Sequence, residues 1–206
     1  MTIILIAVTA IISLICFSNR SMFEKLQFNP YKVYHRKEYY RFITHAFVHA
    51  DWMHLIINMI VLLSFGQALE SDFAALQMNG ILRLPSTVYF LALYFSSLIV
   101  SSLTTLKKYK DVDYYNSVGA SGGVSAILFS CIFFDPWHKL SLYFFIPIPG
   151  IIFGVLYLWY SQYMSKRGND NTNHDAHFLG ALYGFTFPVL LDPRLFYHFI
   201  HQITNF

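Results

Sequence analysis

Long apolar stretches alternate with short polar segments along the chain, and several approach the ~20 residues that cross a hydrocarbon core. The first runs from Ile3 to Phe17 and the second from about Trp52 to Leu69. A third covers Leu84 to Leu103, bounded by Arg83 and by Lys107, Lys108 and Lys110. The fourth lies within Ser117 to Phe134 and ends at Asp135-Pro136. Pro147 and Pro149 suit the start of a fifth, which runs to about Met164, because proline is tolerated in a helix's first turn. The sixth is Asp175 to Leu191, closed by Asp192-Pro193. Six spans are expected, with no internal repeat.

The connections are polar. The second span ends in small residues (Gly66, Gln67, Ala68) and is followed by an expected polar loop reaching Arg83. The segment from Phe134 to Ile146 is too short and too interrupted to span, which suits a path along the membrane interface. The longest connection, Ser18 to about Thr44, mixes charges with Tyr31, Tyr34, Tyr39 and Tyr40 and also suits the interface.

Composition strengthens this reading. Of 206 residues, 56% are hydrophobic and only 12% charged, about half the usual soluble share. An ordinary cytosolic enzyme and a disordered chain are both excluded. The 21 Phe and 15 Tyr fit lipid-facing and interfacial positions. The net charge of +3 is too small and dispersed for a nucleic-acid footprint. Cys16 and Cys131 both lie inside apolar runs, so a disulfide framework is excluded. The apolar start lacks a basic flank and a small-x-small cleavage site, and reads as a retained span rather than a signal peptide.

Six helices place both termini on one side, so spans two, four and six all begin on the other. Their first turns hold the polar residues. Span two opens with His54 and Asn58, span four with Ser117, Ser121 and Ser125, and span six with His174, Asp175 and His177. Polar groups in a bilayer are costly and mark function. Here they converge on one leaflet.

Gly119-Ala120-Ser121-Gly122-Gly123 opens the fourth span. Glycines around a serine allow close backbone approach and leave the hydroxyl accessible. A helix N-terminus adds free N–H groups and the positive dipole end, which stabilise an oxyanion. The bland alternative is small-residue packing between membrane helices. In the sixth span His177, Gly180, Ala181 and Gly184 share one face. If that face meets the start of span four, His177 reaches the Ser121 hydroxyl as a general base. A capping or pocket histidine is the alternative. His54 and Asn58, four residues apart, can both donate to an oxyanion, although an asparagine such as Asn58 taken alone more often makes an interhelical hydrogen bond.

At this point a family resemblance emerges. The segment His45-Ala46-Phe47-Val48-His49-Ala50-Asp51-Trp52-Met53-His54-Leu55-Ile56-Ile57-Asn58 resembles the second-helix signature of rhomboid intramembrane serine proteases. Gly119-Ala120-Ser121-Gly122 resembles that family's GxSG motif, and Ala176-His177 with Gly180 and Gly184 its AHxxGxxxG motif. The three occur in order, within residues 39–191. The resemblance implies an all-α, polytopic six-helix bundle forming a single domain over residues 1–206. It implies a Ser121–His177 dyad with no acidic member. The oxyanion hole would be the Ser121 N–H with Asn58 and His54, and His49 would lie near the cavity. Gly119 and Gly122 would shape the nucleophile's turn, and Gly180 and Gly184 would let span six pack on span four. It further implies cleavage of transmembrane protein substrates near the bilayer surface, at small or helix-breaking residues, with no metal or other cofactor.

Two departures stand out. Relatives often carry, four residues after the nucleophile, an aromatic that packs on the catalytic histidine; this chain has Ser125. The Trp-Arg pair of some relatives' first loop is absent, and Tyr40-Arg41 is the nearest feature. Orientation also divides the two lines of reasoning. Eleven of the fourteen Lys and Arg residues lie in loops one, three and five, which the positive-inside rule places in the cytoplasm. The resemblance implies a bacterial plasma membrane with the active site on the extracytoplasmic side, and is preferred for its specific motifs. The rival functions are a non-catalytic, client-binding rhomboid-like protein and a histidine-rich di-iron membrane oxidase. The first would lack Ser121 or His177, and the second needs paired His-His steps that do not occur.

Overall fold

A computed structural model describes residues 1–142, 146–168 and 172–204. Helix α1 (Thr2–Ser18) matches the first expected span. The long first connection is not irregular. It folds into α2 (Arg20–Leu26), α3 (Pro30–Arg36), α4 (Arg41–Thr44) and a 3-10 turn (His45–Phe47). Asn19 caps α2 through Met22 N–H, and Asn29 caps α3 through Lys32 N–H with Pro30 in the first turn. Arg41, only 3% exposed, donates to the carbonyls of Glu24 and Gln27 and to the Glu38 carboxylate. It ties these short helices together.

Helix α5 (Trp52–Met78) runs well past the expected end at Leu69. The polar residues there continue the helix instead of forming a loop, because Leu62, Gly66, Leu69 and Phe73 stay on one buried stripe at helical spacing. Helix α6 (Ser86–Tyr109) follows, then α7 (Ser121–Phe134). Ser117 precedes α7 and pairs with Phe28 in an isolated β-bridge, which joins the first and third loops. Strands β1 (Lys139–Leu142) and β2 (Ile146–Pro149) form an antiparallel hairpin with Leu140 opposite Ile148. The fold is helical, with one small hairpin among the described residues. The expected interfacial segment falls partly in this hairpin and partly on residues 143–145, outside the described residues. Pro147 and Pro149 lie in β2, so α8 (Gly150–Arg167) starts only after them. Helices α9 (His174–Leu191) and α10 (Leu195–Thr204) complete the chain.

Side-chain contacts fix how the helices run. Phe17, at the end of α1, packs on Trp52 at the start of α5, with ring centroids 5.0 Å apart. Thr2 at the other end donates to Glu70 at 3.0 Å, so α1 and α5 are antiparallel. Cys131 donates to the Phe65 carbonyl and Phe134 packs on Phe73, while Gly119 meets His54; α5 and α7 therefore run the same way. Ser130 donates to the Gly184 carbonyl at 2.6 Å, and Gly180 meets Gly122, so α9 runs with α7. The polar starts of α5, α7 and α9 thus share one end of the bundle.

The interior is unusual for a water-soluble core. Ser13, Ser97, Ser101, Ser102, Thr105 and Ser130 are buried, while Ile3, Ile4, Ile11, Ile57, Val155 and Leu156 are exposed. Small hydroxyls inside and aliphatic side chains outside suit a lipid solvent, where close helix contact replaces hydrophobic burial. Among the described residues, α5 and α6 are long and apolar enough to cross a membrane. α1 and α7 are shorter apolar helices.

Candidate active site

Ser121 is the first residue of α7 and is half-buried. The chain reaches it through Gly119, whose φ of +113° is open to glycine and strained for other residues. A Cβ at Gly119 would also lie 2.5 Å from His54 Cε1, so the ring of His54 covers this turn. Two hydrogen bonds hold the approach. Gly119 N–H donates to the His45 carbonyl at 2.9 Å, and Ala120 N–H donates to His49 Nε2 at 3.4 Å. Asp51 and Asn173 cap α5 and α9, whereas no side chain among the described residues caps α7. The first N–H groups of α7 are thereby left to other acceptors.

His49 accepts from Ala120 through Nε2, so the network assigns the ring proton to Nδ1. Nδ1 lies 3.0 Å from Ser13 Oγ, and Ser13 in turn donates to the Phe47 carbonyl at 2.9 Å. The chain of bonds requires a neutral imidazole. Burial first, then the neighbouring His54 and His45, push the His49 pKa down to about 3. Burial likewise pushes His45 down to about 4. Ser13 escaped the sequence reading, although a hydroxyl in the middle of an apolar span was the available signal.

On α5, Asn58 is buried and donates from Nδ2 to the His54 carbonyl at 2.8 Å. Its amide carries a second N–H for another acceptor. His54 and Asn58 share the α5 face that meets the α7 entrance, and the rings of His54 and His49 are 4.9 Å apart.

On α9, the glycine spacing has the expected consequence. A Cβ at Gly180 would strike the Gly122 carbonyl oxygen, and one at Gly184 the Ala126 carbonyl oxygen. The two backbones are in contact, and the Ala176 carbonyl lies 3.9 Å from where a Gly122 Cβ would stand. The residue beside His177 is thus level with the residue beside Ser121. His177 is half-buried. An aromatic from another helix lies beside the His177 ring. Tyr157 of α8 lies nearly parallel to the His177 ring, 19° between planes and 6.4 Å between centroids. Its hydroxyl is 2.7 Å from Ser125 Oγ. Tyr157 was not singled out from the sequence, because its partners lie 32 and 20 residues away and no local pattern records them.

Comparison with known proteins places the chain in a family. The model of the Rhomboid domain matches residues 36–194. RHOMBOID-like protein 12, mitochondrial, from Arabidopsis thaliana is 32% identical over 144 residues, 68% of this chain and 42% of that protein. Rhomboid-related protein 1 from Caenorhabditis elegans is 27% identical over 179 residues, 83% of this chain and 45% of that protein. The chain spans less than half the length of either relative. With its three motifs gathered at one end of a helical bundle, the chain belongs to the rhomboid family of integral membrane proteins. Neither relative supports the expected bacterial plasma membrane: both are eukaryotic, and one is named mitochondrial.

Proposed function

We propose that the protein is an intramembrane serine endopeptidase acting through a Ser121–His177 dyad. The observation that carries this reading is the backbone contact of α9 with α7 at Gly180 and Gly122, which levels His177 with Ser121. Helices α1, α5, α6, α7, α8 and α9 are the six spans of this reading. The site then lies at the end of the bundle where α5, α7 and α9 begin, near the membrane surface, where water can reach it.

His177 takes the proton of Ser121 Oγ as that oxygen attacks the scissile carbonyl. The resulting oxyanion is stabilised by the Ser121 N–H at the uncapped start of α7, with Asn58 and His54 donating from α5. Collapse of the tetrahedral intermediate breaks the C–N bond, and His177 returns the proton to the leaving amine. His177 then deprotonates a water that attacks the acyl-enzyme, and the second collapse restores Ser121. His49 supports the turn before Ser121 rather than touching the reacting atoms. Substrates are transmembrane segments of other membrane proteins, with small or helix-breaking residues at the cut, since the scissile peptide must leave its helix to be attacked.

The test is covalent labelling of the purified protein by a fluorophosphonate. Modification mapped to Ser121, and lost in His177→Ala, is expected. Absence of labelling with correctly folded protein contradicts the reading and favours a client-binding protein.

A further inference from the structure

Tyr157 has two partners at the site: its ring lies beside the His177 imidazole, and its hydroxyl meets the Ser125 hydroxyl. Parallel, offset rings at 6.4 Å between centroids are within the range of attractive aromatic stacking. A stacked ring restricts rotation of the imidazole about its Cβ–Cγ bond, and that rotation decides whether Nε2 points at Ser121. The phenol itself is fixed from α7 through Ser125, and its ring also packs near Phe129 and Phe153, at 5.5 and 5.8 Å between centroids. Ser125 is buried, and its small side chain leaves room for the Tyr157 ring to approach from α8.

We propose that Tyr157 is a positioning residue for the base His177, and that Ser125 is the latch that keeps its ring in place. The proposal rests on the Ser121–His177 reading. It has a consequence for the bundle. Helix α7 buries twelve of its fourteen residues, whereas α8 buries only Gly150, Gly154 and Ser161. The group that orients the base therefore sits on a weakly packed helix. That helix is held at the site end by the Ser125–Tyr157 bond and by Ser165, which donates to Asp175 of α9. Displacement of α8 from α7 removes the ring from His177, so docking of α8 and orientation of the base form one equilibrium.

The experiment compares wild type, Tyr157→Leu, Tyr157→Phe and the exchange Ser125→Tyr/Tyr157→Ser, all purified in detergent. It reads kcat and KM on a transmembrane peptide and the proton resonances of the His177 ring, which a stacked aromatic shifts upfield. Tyr157→Leu is expected to lower kcat about tenfold, the scale of an aromatic contact, with KM unchanged and the upfield shift lost. Tyr157→Phe keeps the ring and loses less. The exchange supplies a ring from α7 and restores both kcat and the shift. Wild-type kcat in Tyr157→Leu, or a loss of kcat with His177 resonances unmoved, overturns the proposal. If wild type cleaves nothing, the protease reading fails on its own, and the resonances still decide whether Tyr157 orients His177.

Discussion

Gly180 lies so close to Gly122 that a methyl group on Gly180 would stand 3.0 Å from the Gly122 carbonyl carbon and 3.1 Å from its Cα. Both obstacles are backbone, which cannot swing aside as a flexible side chain does. Alanine in a helix gains about 1 kcal/mol over glycine. Here the overpacking cost of roughly 1–3 kcal/mol outweighs it, because relief requires α9 to move away from α7. Gly180→Ala and Gly184→Ala are expected to lower the thermal midpoint in detergent and to cut activity further than stability, since the movement separates His177 from Ser121. An unchanged midpoint in both variants contradicts the packing described.

Gly119 presents the other kind of glycine requirement. Its φ of +113° costs other residues on the order of 1–3 kcal/mol, and a Cβ would also meet the His54 ring. Gly119→Ala is expected to reduce fluorophosphonate labelling of Ser121 at least as much as it reduces stability. Labelling at the wild-type rate would show that this turn does not set the nucleophile.

The pair His45 and His49 makes stability fall in acid. Both are held below the ordinary histidine value of 6.5, at about 4 and about 3. Below pH 6.5 the unfolded chain takes up protons that the folded state refuses, so stability present above 6.5 drains away as pH falls towards these values. Each histidine contributes a slope approaching 1.4 kcal/mol per pH unit in that window, to order of magnitude. The thermal midpoint is expected to decline between about pH 6.5 and 4. His49→Gln, which removes one titrating group, should show a shallower decline. Equal slopes in the two proteins would contradict a neutral His49 bonded to Ala120.

Asn58→Ala probes the oxyanion hole. Loss of one such donor costs on the order of 10²–10³ in kcat. The Asn58 amide also holds the His54 carbonyl, but that bond is within one helix turn and its loss leaves the fold intact. The expected result is a folded protein with residual cleavage and little change in KM. A rate unchanged from wild type would remove Asn58 from the mechanism.

Much of the site could be read from local pattern. The glycines after His177 and around Ser121 announce close helix contact, and the parity of six apolar runs brings the starts of α5, α7 and α9 together. What escaped the sequence depends on partners far apart in the chain. Ser13 and His49 are joined across 36 positions, and Ser125 and Tyr157 across 32. The extension of α5 was missed because Glu70, Ser71 and Asp72 look like a loop, whereas Glu70 is satisfied by Thr2 of α1. The hairpin of β1 and β2 was hidden by prolines read as a helix start. Arg41 shows the same limit: the three oxygen partners that bury it come from Glu38, Gln27 and Glu24, 3, 14 and 17 residues away.

The most direct measurement is cleavage of a transmembrane peptide by detergent-purified wild type, Ser121→Ala and His177→Ala, with and without a metal chelator. Cleavage by wild type alone is expected, at a rate the chelator leaves unchanged. Cleavage that persists in Ser121→Ala, or that the chelator abolishes, would contradict the serine protease reading.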